Sequence, residues 1–212
     1  MIMRAFVVSM VVGLLAGCGT VQGPAVRYYK LDIPPVPTPA GPSVPVPLRI
    51  EPFRTTSLLR QDRIVYRPSP EEVGFYEYHR WAEPPTDTMT KAVADQLTGR
   101  RLFRSVGISD SAESAAYVLR GSIDRLQELD FKGTVKAQVT ISVELEDPVH
   151  REKIWSSVAS SECVVKKGDV QAVVAAMAQA AQQSIERLVR DVVAFVQLNR
   201  LGAISSTGTP SR

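Results

Sequence analysis

The sequence predicts an α+β fold: a two-layer sandwich in which two helices, one of them long and C-terminal, cover one face of a mostly antiparallel sheet. Apolar and polar residues alternate from Val135 to Leu145, which indicates a strand with one dry and one wet face. Between Val170 and Val196, apolar residues recur at steps of three and four, the pattern of an amphipathic helix. The chain has 212 residues, 44% of them apolar, so one domain can bury a sizeable core.

Residues 1–17 have the features of a secretory signal peptide. Residues 1–4 carry one positive charge, and the uncharged run AFVVSMVVGLLA follows at 5–16. A helix needs about 20 residues to cross a bilayer, so this run is too short to be a membrane span. Small residues follow it, as at a cleavage site. A signal peptide over 1–17 is therefore predicted, with a buried N-terminal helix as the alternative.

The apolar run ends in LAGC at 15–18, which matches the bacterial lipobox of an aliphatic residue, two small residues and a cysteine. We expect Cys18 to carry a diacylglycerol on its thiol and a further acyl chain on its amine, because several chains anchor a protein stably. The alternative is a free cysteine after ordinary signal cleavage. Residues 18–25 then form a lipidated tether. Gly19 stands where an aspartate would signal inner-membrane retention, which favours the periplasmic face of the outer membrane.

Residues 26–102 are predicted to contain short strands, a proline-rich segment and one helix. Seven of the fourteen residues in 34–47 are proline, so this segment should be extended and lie outside the core, as a spacer or a surface loop. Helical spacing over 84–102, with Thr86 or Asp87 as the N-terminal cap and Gly99 near the end, predicts the first helix. The predicted strands of this part are 26–33, 48–53, 63–67 and 75–78.

The second half of the chain is predicted to form three longer strands and then a long helix. The strands cover 115–129, 135–145 and 153–165, and DPVHREK between the last two has the composition of a hairpin loop. The helix extends from 169 to 201, and its apolar stripe should cover the dry face of the sheet. The single domain thus spans 26–201, and 202–212 is expected to be a disordered tail.

Catalytic motifs are absent from the sequence. It contains no G-x-S-x-G nucleophile turn, no P-loop, no G-x-G-x-x-G and no H-E-x-x-H. The two histidines, His79 and His150, have no second His or Cys at metal-ligand spacing. We therefore predict a protein that is not an enzyme and has no cofactor and no metal site. A secreted hydrolase is the alternative.

Cysteine and charge content limit the possible partners. If Cys18 is lipidated, Cys163 is the other cysteine of the chain, so no intramolecular disulfide can form. The alternating apolar surroundings of Cys163 predict a buried, inert thiol. The net charge is +3 and the basic residues are scattered, whereas a nucleic-acid surface usually shows a basic stripe. No nucleic-acid partner is expected.

The stretch FYEYHRWAEPP, at 75–85, concentrates aromatic and charged side chains. One interpretation is structural: aromatic residues plug one end of the core, and Arg80 forms a bidentate pair with Glu83 that fixes the turn before the helix. The other is a partner-binding surface of Arg80, Trp81 and Glu83, with Trp81 and Arg80 exposed, since Trp and Arg are favoured interface anchors. From the sequence both interpretations stay open.

Five short motifs are spread over the chain in order. They are the lipobox cysteine Cys18, YYKL at 28–31, LRQDRIVYR at 59–67, RWAEP at 80–84 and YVLRGSI at 117–123. In this order and setting the chain resembles the ABC-type transport auxiliary lipoproteins. Members of that family have a lipobox, a YY-x-L strand, an L-x-x-x-x-IV-x-R segment, RWAEP ahead of a helix and a Y-x-L-x-G-x-I strand.

The resemblance implies a periplasmic lipoprotein, anchored to the outer membrane, that acts as an auxiliary or docking subunit of an MCE-type ABC lipid transport system. The partners it implies are the membrane, through the N-terminal lipid anchor, the MCE-domain protein that bridges the periplasm, and phospholipid. The alternative is a lipoprotein that assists the assembly of an outer-membrane β-barrel or plugs it, as lipopolysaccharide-export lipoproteins do.

Overall fold

The computed structural model describes residues 23–35, 44–109, 115–166 and 168–206 of the chain. Within these ranges the chain forms one sheet of nine strands and two helices, which confirms the predicted α+β class. The strands are β1 Arg27–Tyr29, β2 Val44–Ile50, β3 Arg54–Thr55, β4 Arg63–Arg67, β5 Gly74–Trp81, β6 Phe103–Ile108, β7 Tyr117–Phe131, β8 Thr134–Asp147 and β9 Glu152–Val164. The helices are α1 Pro85–Gly99 and α2 Val170–Ser206, and a short 3-10 turn covers Ser57–Arg60.

Strand β7 lies at the centre of the sheet. The long strands β8 and β9 follow it in an antiparallel meander. On its other edge, β2, β3 and β4 pair with β7 in parallel, and β5 pairs with β4 antiparallel. The strands β1 and β6 extend the sheet in parallel, beside β5 and β2. Most paired residues belong to the long antiparallel strands, as predicted, while short strands that are distant in sequence join in parallel.

Strand β8 provides the middle of the dry face. Its buried apolar residues are Ala137, Val139, Ile141, Val143 and Leu145, each at most 2% exposed. The residues between them point to the opposite face. There the hydroxyls of Thr140 and Ser160 of β9 form a hydrogen bond of 2.8 Å. The alternation predicted for this segment is confirmed, because a pleated strand places successive side chains on opposite faces.

Helix α2 covers the dry face of β8 and β9. The Asp169 side chain accepts a hydrogen bond from the Ala172 N–H at 2.7 Å, which satisfies one free donor at the helix start. Ser184, fully buried, donates to the Val139 carbonyl of β8 at 3.3 Å. The helix continues to Ser206, five residues beyond its predicted end at 201; residues 207–212 lie outside the described ranges.

Helix α1 begins with proline rather than with a side-chain cap. Pro84 is the capping residue and makes no side-chain hydrogen bond, so the predicted cap at Thr86 or Asp87 is wrong. Pro85 suits the first helical position because its missing N–H would have no partner there. The apolar stripe is confirmed, and its most buried members are Met89, Val93 and Leu97. The helix ends at Gly99.

The end of the proline-rich segment belongs to the sheet, which corrects the expectation that all of 34–47 lies outside the core. Val44 opens β2 and is 5% exposed. β2 tolerates Pro45 and Pro47 because β7 pairs with it only from Leu48 onward, so β6 is its one strand neighbour there. The register with β6 also shifts between Val44 and Pro47. Residues 36–43 lie outside the described ranges.

Candidate partner-binding site

The predicted site lies where β5 ends and the chain turns into α1. Pairing between β4 and β5 is uneven: Val65 faces Phe75, whereas Arg63 faces Arg80. The intervening part of β5 therefore forms a bulge against β4. A bulge bends its strand and re-aims the side chains that follow. Here it precedes the RWAEP segment at 80–84.

Trp81 is a core residue. Its side chain is 7% exposed and packs in the main apolar cluster. Its backbone N–H donates to the Asp62 carbonyl at 2.6 Å, and the next N–H, of Ala82, donates to the Tyr29 carbonyl at 2.8 Å. The expected exposure of Trp81 to a partner is therefore wrong. Its burial agrees instead with the structural interpretation, in which aromatic residues close one end of the core.

Arg80 and Glu83 bond to separate partners, so the predicted ion pair between them is wrong. Arg80 Nη1 donates to both carboxylate oxygens of Asp62, at 2.9 and 2.7 Å, and this hydrogen bonding raises the pKa of the Arg80 guanidinium. Glu83 lies 3.4 Å from Lys30 Nζ and accepts a hydrogen bond from Thr88 Oγ1 at 3.1 Å. The turn is thus joined to the β3–β4 connection, to β1 and to α1. Asp62 and Lys30 were not predictable from local patterns, because both approach the turn through strand pairing.

A cavity of about 460 Å³ lies beside this turn. Trp81, Ile123 and Leu126 line its interior and are each at most 7% exposed. Charged side chains stand at its mouth, among them Arg60 and Glu83. The turn therefore combines an apolar recess with a polar rim, which is the usual composition of a small-molecule site.

A polar and aromatic cluster connects β1, β5 and β7 behind the turn. The Tyr29 hydroxyl and His79 Nδ1 are 2.9 Å apart, and the Tyr76 hydroxyl donates to Glu128 Oε2 at 2.7 Å. The His79 and Tyr76 rings meet edge to face, with centroids 5.5 Å apart. Burial raises the pKa of the Glu128 carboxyl, against the opposing effect of the Tyr76 hydrogen bond. Glu128 and Leu126 are two residues apart in β7, so both point to the dry face of the sheet. This spacing could have predicted a buried hydrogen-bond partner for Glu128.

His150 and Cys163 are the other candidate residues of the sequence. His150 is exposed in the β8–β9 turn, and its Nδ1 lies 2.8 Å from Asp147 Oδ2. Cys163 is a free, buried thiol, as predicted, and burial raises its pKa.

The described part of the chain holds no group of three or more His, Cys, Asp or Glu side chains placed to bind a metal ion. In the same part, neither helix is long and apolar enough to cross a membrane. Cys18 lies outside the described residues.

A family model described as ABC-type transport auxiliary lipoprotein component matches residues 29–189, most of the chain. The chain belongs to this family. In the described part of this auxiliary lipoprotein, four of the five motifs meet in space: YYKL forms much of β1, which pairs with β5, and Leu59, Trp81 and Ile123 each come from a different motif and line the cavity. The part of the chain that carries the resemblance is thus largely the part that builds the turn.

Two solved structures share the fold of the auxiliary lipoprotein. Protein XCC0632 from Xanthomonas campestris has 22% sequence identity and a TM-score of 0.73, over 82% of this chain and 99% of that chain. A second structure, titled as an uncharacterized protein, has 14% identity and a TM-score of 0.61, over 80% of this chain and 99% of that one. No curated protein matches the sequence.

Proposed function

We propose that this protein is a periplasmic docking subunit of an MCE-type ABC lipid transport system, held at the outer membrane by a lipid on Cys18. The family match over 29–189 is the observation that carries the proposal, since it makes the chain a component of ABC-type transport. The lipobox supports the anchor, and a signal peptide over 1–17 would deliver the chain to the periplasm. The role is non-catalytic: the protein connects a transport machine to a membrane.

The position of β1 in the chain supports a short tether. β1 begins at Arg27, nine residues after Cys18. At most about 3.5 Å per residue, this segment spans no more than about 32 Å. β1 pairs with β5, so the end of β5 is bound directly to the strand that follows the tether. The turn at 80–84 would then lie near the membrane that holds the anchor.

The docking surface that we propose is the polar rim of this turn. The Arg80 and Glu83 side chains are 33% and 42% exposed, so both can reach a partner while keeping their internal ion pairs. Trp81 is buried and would act by holding the turn in place. Charge arranged in this way contributes to partner selection and association rate more than to raw affinity.

Site-specific photo-crosslinking in cells tests the proposal. A photoreactive phenylalanine analogue replaces Glu83, and the control carries it at Val149, which is 81% exposed in the β8–β9 turn. We expect the MCE-domain protein of the transport system to be captured from position 83 and not from position 149. Capture of an outer-membrane β-barrel instead would favour the barrel-assembly alternative. Capture of unrelated proteins alone would contradict both roles.

A further inference from the structure

The cavity beside the turn has buried apolar side chains in its lining. Ile123 and Leu126 are 1% and 2% exposed, Trp81 forms one wall, and Leu59 from the 3-10 turn forms another. The volume of about 460 Å³ falls within the range of small-molecule sites. A hydrocarbon group suits such an interior better than water, which needs several polar partners to be held there.

The mouth of the cavity has unpaired positive charge. Its two carboxylates are already engaged, Asp62 by Arg80 and Glu83 by Lys30. The Arg60 side chain makes no hydrogen bond or ion pair with any residue that the structure describes.

Arg63, the second arginine at the mouth, also lacks a carboxylate partner among the described residues. It donates to the neutral Gln61 side chain at 2.9 Å and lies 4.9 Å from the centre of the Phe75 ring. Two guanidinium groups are therefore available to an anion at the mouth, and guanidinium is well suited to bind phosphate.

We infer that this cavity holds one acyl chain of an anionic phospholipid, with Arg60 and Arg63 bound to the headgroup phosphate. The inference rests on the proposed function for one premise, that a membrane lies near the cavity. β1, beside the turn, begins nine residues after the proposed anchor at Cys18. An apolar recess with a cationic mouth, close to a bilayer, matches an amphiphile in both of its parts. The domain would thus contact the lipid itself, in addition to docking a partner.

Tryptophan fluorescence gives a direct test because the chain has two tryptophans. Trp155 stacks on Phe195, away from the cavity, so the full-length variant Trp155→Phe leaves Trp81 as the reporter. The lipoprotein is reconstituted in vesicles of phosphatidylcholine with added phosphatidylglycerol whose acyl chains are brominated. Bromine quenches tryptophan at short range, so we expect loss of most Trp81 emission. In control vesicles the phosphatidylcholine carries the brominated acyl chains and no phosphatidylglycerol is present. Trp81 emission should be quenched far less there.

Three variants make the result specific. Trp81→Phe leaves only Trp155 and should show little quenching in the same vesicles. In the Trp155→Phe background, Arg60→Gln should raise the fraction of brominated phosphatidylglycerol needed for half-quenching about threefold, the effect expected for one exposed charge contact. Arg104→Gln, at an exposed arginine of β6 that does not line the cavity, should leave this fraction unchanged.

Two outcomes would overturn the inference. Absence of Trp81 quenching would exclude an acyl chain from the cavity, and equal quenching by both brominated lipids would exclude recognition of the anionic headgroup. Neither depends on the MCE-domain protein, which the vesicles lack. Failed quenching with successful crosslinking from position 83 would reject the lipid site and keep the docking role. The reverse pair of results would reject the docking role alone.

Discussion

Gly121 lies against the ring of Phe53, where β7 passes beneath the chain that follows β2. A Cβ atom added at Gly121 would overlap three carbons of that ring. Phe53 is itself 4% exposed and packed in the core, so the ring has little room to move away. The close approach of this ring requires glycine at position 121.

We expect Gly121→Ala to destabilise the protein by about 1–3 kcal/mol, the usual cost of overpacking a core. The measurement is the free energy of unfolding from urea titration. The matched control is Gly107→Ala in β6, where an added Cβ meets no atom within 4 Å. Equal stability of the two variants would contradict the packing described for Phe53.

At the scale of elements, α2 packs its apolar stripe on β8 and β9. Met177, Ala181 and Ile185 are completely buried against β8 and β9, and Leu188 is 1% exposed. The far part of the helix is different, since Leu198 is 68% exposed. Among the described side chains of α2, the buried apolar residues end at Val196.

Ile185→Ala should lower the free energy of unfolding by about 2–5 kcal/mol, because it removes buried methyl groups and leaves a cavity. Leu198→Ala in the same helix should change it by less than about 0.5 kcal/mol, as expected for an exposed site. Both values follow from urea unfolding monitored by circular dichroism. A comparable loss in both variants would mean that the far part of α2 is also packed.

At the scale of the whole molecule, the proposed anchor at Cys18 precedes the folded domain along the chain. Among the described residues, the apolar core extends from Leu31 to Val196, so it begins thirteen residues after Cys18. The lipid on Cys18 would therefore set the location of the domain and not its stability. Among the described strands, β1 is the one nearest to the anchor along the chain, and it pairs with β5, which ends at the turn.

Cys18→Ser should leave the domain folded but block lipidation, so that the protein is no longer recovered with outer membranes. Membrane fractionation and immunoblotting measure its location, and limited proteolysis measures its folding. Cys163→Ser is the control, because it changes the buried thiol and keeps the lipobox. Normal processing of the Cys18 variant, with continued sedimentation in the outer-membrane fraction, would exclude the lipid anchor.

Local sequence patterns predicted the strands and helices in which buried residues recur at a regular spacing. The alternation around Ile141 and the helical stripe through Ile185 each need only neighbouring residues, and both are confirmed. The motif around Trp81 also led to the correct family. Contacts between distant segments were not predictable in this way. The partner of Arg80 is Asp62, not the nearer Glu83, because the pairing of β4 with β5 brings Asp62 alongside.

The sequence by itself determined the fold class, the long strands, both helices and the family, since periodicity and short motifs are properties of adjacent residues. Only the tertiary structure decided that Trp81 faces the core, that Pro45 and Pro47 fit a strand, and that unpaired arginines border an apolar cavity. These features depend on which strands become neighbours. Strand pairing joins residues far apart in the chain, and no local pattern specifies it.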